Sequence, residues 1–211
     1  LVALPLANSV AELRRIEVID RRLGLGDLVA LDRQKQLDEL VAERRALMPI
    51  ALYAHVVGSL VALAVGPWQL SSRLRNRYLG RHRWMGRVYV LAVLLGGLGA
   101  LGLAPYSQEG LVTHVGFGML GVLWLTATAQ GYRRIRAGDQ ASHREWMIRS
   151  FALTLAAVAL RIYLPISLAL GIPYPDAYQV ISWFCWVPNL VIAEWVVLRR
   201  RRDAGMIAGN D

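Results

Sequence analysis

The chain has 211 residues, 55% of them apolar and 18% charged, and a formal net charge of +9. The apolar residues stand in nearly charge-free blocks of about 20, the length that crosses a bilayer as a helix, which excludes an ordinary soluble domain. The basic residues sit in short loops between those blocks, where membrane topology places them, so the charge argues against nucleic acid as a partner.

Residues 1–48 are charge-balanced, with eight acidic and eight basic side chains. Ile16, Ile19 and Leu23 make one helical stripe, Leu37, Leu40 and Val41 make another, and Gly24 and Gly26 stand between them. Two short amphipathic helices lying on a membrane surface are expected. The chain opens on Leu1, and residues 1–7 read as the tail of a signal peptide or of a preceding span.

Five spans follow, over about residues 49–70, 84–103, 111–132, 146–170 and 178–198. All must be helical, because an open strand leaves its backbone groups unsatisfied in lipid. Pro49 suits the first turn of the first span. The fold class is therefore an all-α membrane bundle of five visible helices. Domain bounds are 1–48 for the amphipathic segment, 49–198 for the bundle and 199–211 for a basic tail.

Orientation follows from arginine. The loops after the first and third spans, with the adjoining span ends, carry Arg73, Arg75, Arg77, Arg81, Arg83, Arg87, Arg133, Arg134, Arg136, Arg144 and Arg149, and the tail carries Arg199 to Arg202. The loops 104–110 and 171–177 carry no Lys or Arg. The arginine end is thus expected in the cytoplasm of a bacterial inner membrane, with the N-terminal segment outside. A translocated N-terminal segment normally needs a preceding span or a cleaved signal, so a sixth, N-terminal helix is expected in the full gene.

Four histidines are present, His55, His82, His114 and His143, one at or near the start of each of the first four spans. Consecutive spans run in opposite directions, so His55 and His114 fall on one side and His82 and His143 on the other. Imidazole is the commonest metal ligand and an axial haem ligand, and the two pairs read as two bis-histidine sites. Gly58, Gly118 and Gly121 share helix faces with the outer histidines. They suit close helix approach, and a flat macrocycle would need the same clearance. Beside the inner pair, Arg83 and Arg144 could hold haem propionates, neighbour a quinone headgroup, or bind lipid phosphates.

Arg161 lies within the fourth span, and an intramembrane charge marks a functional site by default. Pro165 takes the helical donor from the Arg161 carbonyl. A haem propionate from the outer site would neutralise this arginine; snorkelling or bonds to backbone carbonyls would do so without a ligand. Cys185, the single cysteine, excludes an internal disulfide or cysteine metal cluster and reads as a small core residue. Asn189, Pro188, Gln69 and Gln130 read as packing or interfacial groups. No nucleophilic triad is evident, and two histidines per leaflet fall short of a zinc hydrolase site. Gly116, Gly118 and Gly121 follow no strand and make no nucleotide fingerprint.

The runs Gly66-Pro67-Trp68-Gln69, His82 to Tyr89, Gly116-Phe117 through Leu123-Trp124-Leu125, His143 to Ser150, and Trp183 through Asn189 resemble a bacterial family of predicted membrane proteins of unknown function, over about residues 50–198. That resemblance implies a membrane location and no established activity. The order of histidines is similar in architecture to the transmembrane ascorbate- and ferric-reducing cytochromes b, in which alternate helices share a haem near each surface. That similarity implies one or two b haems ligated by His55 with His114 and by His82 with His143. Three functions follow as expectations. One is an electron carrier across the bilayer, a possible oxidoreductase that exchanges electrons with quinone or another donor. Another is a non-enzymatic accessory subunit of a respiratory or photosynthetic membrane complex. The third is an anion or lipid transporter using Arg161.

Overall fold

The computed structural model of the chain describes residues 25–107 and 109–208. Two compact units divide the chain, Leu1–Leu47 and Met48–Asp211. In the first, residues 25–47 are helical. The stripe of Ile16, Ile19 and Leu23 lies outside the described residues, as do the side chains of Leu37, Leu40 and Val41.

Helix α1 is Leu25–Leu70, with Pro49 and Pro67 inside it. Pro49 therefore does not begin a helix. Each proline removes one backbone bond, which a long helix tolerates where flanking bonds persist. A six-residue helix α2, Ser72–Arg77, is capped by the Ser71 hydroxyl on the Leu74 N–H. Helix α3 is Leu79–Leu103 and ends in a 3-10 turn, Ala104–Tyr106. Helix α4 is Leu111–Arg136. The fourth span is two helices, α5 (Gln140–Thr154) and α6 (Ala156–Ala169). The fifth is α7 (Tyr174–Phe184) and α8 (Val187–Ala208). Five segments are long and apolar enough to cross a membrane: Leu47–Leu70, Leu79–Tyr106, Leu111–Arg136, Gln140–Ala169 and Tyr174–Asp203. The protein is a helical, multi-pass membrane bundle.

The spans begin further out than hydropathy alone places them. α3 starts at Leu79 and α5 at Gln140. Polar first turns are helical here because lipid headgroups and water satisfy them. The start of α5 is fixed by Asp139, whose carboxylate accepts from the Ser142 N–H at 2.9 Å. Ser142 holds that carboxyl below the usual range.

The break in the fourth span lies at Leu155, ten residues before Pro165. The Thr154 hydroxyl bonds back to the Ser150 carbonyl at 3.0 Å, a contact that bends helices. In the fifth span the break lies at Cys185 and Trp186, because Pro188 cannot donate to the Phe184 carbonyl. The Trp186 N–H turns instead to the Trp183 carbonyl. Asn189 Nδ2 donates to the Cys185 carbonyl at 2.9 Å, so this amide reinforces the broken turn.

Glycine brings α1 and α3 into backbone contact. A Cβ on Gly58 would lie 2.5 Å from the Ala92 carbonyl oxygen, and one on Gly99 would lie 2.5 Å from that of Ala51. In lipid such proximity, rather than apolar burial, holds helices together. The contact order is antiparallel for α1 with α3, for α3 with α4 (Gly97 on Leu125, Gly121 on Leu101) and for α4 with α5 (Gly131 on Met147, Trp124 on Thr154). So α3 and α5 run parallel.

At the centre, five side chains from α3, α4 and α5 form a closed polar knot. The Tyr89 hydroxyl, fully buried, lies 2.9 Å from Ser150 Oγ and 3.0 Å from Thr154 Oγ1. The Trp124 indole N–H donates to Thr154 Oγ1 at 2.9 Å. The Thr128 hydroxyl donates to the Trp124 carbonyl and lies 2.7 Å from Ser150 Oγ. With that proton committed, Ser150 donates to Thr128, and Tyr89 chooses between Ser150 and Thr154. Every donor has an acceptor, the condition for burying hydroxyls away from water.

Two substitutions test this packing in detergent-purified protein. Gly58→Val forces α1 from α3 and is expected to lower the unfolding midpoint by an amount worth about 1–3 kcal/mol. Thr154→Val strands the Trp124 N–H and is expected to cost about 1–2 kcal/mol, more than Tyr89→Phe, in an equilibrium unfolding titration.

Candidate functional site

The knot fixes the relative depth of α3 and α5. His82 precedes Tyr89 by seven residues and His143 precedes Ser150 by seven. Seven residues are two helical turns, so each histidine shares a face with its partner in the knot. Because the helices are parallel, both imidazoles stand about 10 Å from the knot toward the arginine-rich end.

The His143 ring is anchored. Its Nδ1 bonds the Gly131 carbonyl at 2.7 Å, so the proton sits on Nδ1 and the Nε2 lone pair is available. That is the tautomer a ligating histidine adopts. His82 differs: its Nδ1 is buried with no hydrogen-bond partner. Gln69 Nε2 is likewise buried and unpartnered. Its Oε1 approaches Gly86, one turn after His82, at 3.3 Å from where a Cβ would stand.

His55 and His114 are not brought level. His55 Nδ1 bonds the Gly96 carbonyl at 3.0 Å. The ring tip of Trp124 also reaches Gly96, so the part of α4 level with His55 is near Trp124. His114 lies ten residues away along that helix, about 15 Å in depth. Its Nε2 bonds the Ser107 carbonyl at 2.9 Å, which commits the nitrogen a haem iron would take. The two-site symmetry expected from the histidine order therefore fails on this side. The cause is that the first span enters the bundle deeper than the third. The glycines beside these histidines are filled by helix contacts: Gly58 by Ala92 and Gly96, and Gly121 by Leu101.

Arg161 is exposed, and its Nη1 donates to the Ala157 carbonyl at 2.8 Å, one turn back on its own helix. Among the described residues no carboxylate pairs with it. Arg83 and Arg144 are exposed near the two inner histidines. Cys185 is buried in the core.

At the arginine-rich end, α5 and α8 are clamped by ion pairs. Arg149 grips Glu194 with two bonds, Nε to Oε1 at 2.5 Å and a second of 2.9 Å. Arg149 also lies over the Trp146 ring. Arg201 makes a two-point contact with Glu145. Glu194 lies within the fifth span, four residues before its hydropathic end at residue 198, and this clamp sets it against Arg149 near the start of the fourth. The knot, by contrast, carried one legible signal: Ser150 and Thr154 stand four apart on an apolar helix, and hydroxyls so spaced need partners from neighbouring spans.

A family described as Predicted membrane protein (DUF2306) matches residues 52–197. The chain belongs to this family. The match runs through all four histidines, the knot and Arg161, and ends before the arginine tail. No curated protein and no solved structure matches the chain. What the DUF2306 match conveys is a membrane protein; the chemistry has to be read from the side chains.

Gly131→Ala tests the anchoring of His143. The added methyl would stand 2.8 Å from Met147 Sδ, at the turn whose carbonyl holds the imidazole. The His143 side chain is expected to lose its fixed tautomer, read as a changed imidazole nitrogen shift by NMR of histidine-labelled protein.

Proposed function

We propose that the protein is a b-type cytochrome-like electron carrier whose haem is ligated by His82 and His143. The observation that carries this reading is the matched depth of the two imidazoles on parallel helices, two turns from a shared hydrogen-bonded knot.

The residues present suit the group at this end. His143 offers Nε2, with its other nitrogen fixed by the Gly131 carbonyl. His82 would offer its Nε2; its Nδ1 is buried without a hydrogen-bond partner. Arg83, adjacent to His82, supplies a guanidinium for a propionate. Bound haem would supply one-electron chemistry, its potential set by burial and by bonds to the axial imidazoles. The knot beneath excludes water and holds the two ligand helices at fixed depth.

The other pair does not suit a second haem, since His55 and His114 differ in depth and His114 Nε2 is engaged. Arg161, turned onto its own helix, gives no support to a propionate partner or a transport site. In this reading a single site stands at the arginine-rich end, placed in the cytoplasmic leaflet of a bacterial inner membrane by the charge asymmetry. A single haem exchanges electrons with a quinone pool or a neighbouring subunit rather than across the full bilayer. An accessory subunit of a larger respiratory or photosynthetic complex would use the same two histidines.

The test is the visible spectrum of detergent-purified protein with and without dithionite. Sharp reduced b-type bands are expected, abolished in both His82→Ala and His143→Ala and retained in His55→Ala and His114→Ala. A colourless, folded protein reconstituted with haemin to no effect overturns the reading. So does absorbance that survives His143→Ala.

A further inference from the structure

We propose that the exposed face of α6 around Arg161 receives a spanning helix of another protein, which brings an aspartate or glutamate to the depth of Arg161. This does not depend on the haem reading.

The position of the guanidinium carries the argument. α6, Ala156–Ala169, is the second half of the fourth span, Gln140–Ala169. Side chains on a helix lean toward its N-terminus, and the N-terminus of α6 lies in the middle of that span. Arg161 therefore leans into the bilayer: its Nη1 donates to the Ala157 carbonyl, one turn deeper, at 2.8 Å. Ala157 stands twelve residues before Ala169, about 18 Å along the helix. Snorkelling, which would carry the charge to the nearer surface, runs the other way.

The face around this charge is free. Arg161, Ile162, Pro165, Ile166 and Ala169 form one stripe of α6, and all are exposed. The helix packs through its opposite side, where Ala156 and Ala159 are buried and the Tyr163 ring lies 5.7 Å from that of Phe184 in α7. Among the described residues the remaining Arg161 donors have no partner. Pro165, in the same stripe, has no N–H for the Arg161 carbonyl, so an acceptor stands open beside the charge.

A charge at this depth is met by pairing, and the guanidinium fork matches a carboxylate. A second copy of the chain does not supply one. Among the described residues the acids within the five spans are Glu145, Asp176, Glu194 and Asp203. Glu145 and Glu194 are engaged at the arginine-rich end, and Asp203 ends the fifth span there. Asp176 precedes Phe184 by eight residues, so it lies about 12 Å nearer the opposite surface than the Tyr163 contact. Lipid phosphates stand at the surface, well above the guanidinium. Charge complementarity therefore selects a different chain, with its acid inside a spanning helix.

The experiment places the photocross-linking residue p-benzoylphenylalanine at Ile162, and separately at Ile166, in the full chain in its native membranes. Val57 of α1 and Leu95 of α3, both exposed, are the control positions. Irradiation is expected to give one discrete protein adduct from Ile162 and Ile166 and none from the controls. Arg161→Gln is expected to lower the yield about tenfold, the loss of one charged bond between helices, and Arg161→Lys to keep most of it. Both variants are expected to unfold in detergent at the same temperature as the parent, because the side chain is exposed. Sequencing of the adduct is expected to place the cross-link in a spanning helix that contains Asp or Glu. Converting that acid to its amide is expected to lower the yield as Arg161→Gln does. No protein adduct, adducts between two copies of this chain, a partner helix without an acid, or a yield unchanged by Arg161→Gln each overturns the proposal.

Discussion

A tyrosine hydroxyl buried in the middle of a membrane bundle must find a partner, and the partner it finds decides the arrangement of the helices. Tyr89 reaches Ser150 and Thr154, which are also served by Thr128 and Trp124. In hydrocarbon no water stands ready to replace a lost contact, so three helices are held at one relative depth by the need to satisfy five donors. Apolar packing alone would not do this, because lipid is as good a solvent for leucine as a neighbouring helix is. The consequence for function is indirect but specific: the same depth constraint carries His82 and His143 to one level.

Glycine supplies the second constraint. α1 meets α3 backbone to backbone through Gly58, Gly96 and Gly99. This sets α1 at a depth that leaves His55 facing the Gly96 carbonyl and well away from His114. The two sides of the bundle therefore differ for a physical reason. On one side the helices are set by hydroxyl partners that match the histidines in spacing. On the other they are set by close approach that does not.

Charge completes the picture at the arginine-rich end. The acids there are used to clamp α5 to α8, Glu194 on Arg149 and Glu145 on Arg201.

The amino-acid sequence by itself determined the membrane class, the number of spans and which loops share a side, because these depend on the length and composition of contiguous segments. The His82 to Tyr89 and His143 to Ser150 runs already marked the family. Span ends and internal breaks were less legible: Leu155 bends through a hydroxyl back-bond and α5 begins six residues before Trp146, and neither shows in an average over a window. The pairing of His82 with His143 was legible from the alternation of the spans, but the difference in depth between His55 and His114 was not. Alternate spans with histidines near their starts predict two equal pairs, and only the tertiary structure separated them. Depth in a bundle is fixed by contacts between helices, hydroxyl to hydroxyl and glycine to backbone, and those contacts join residues far apart in the chain.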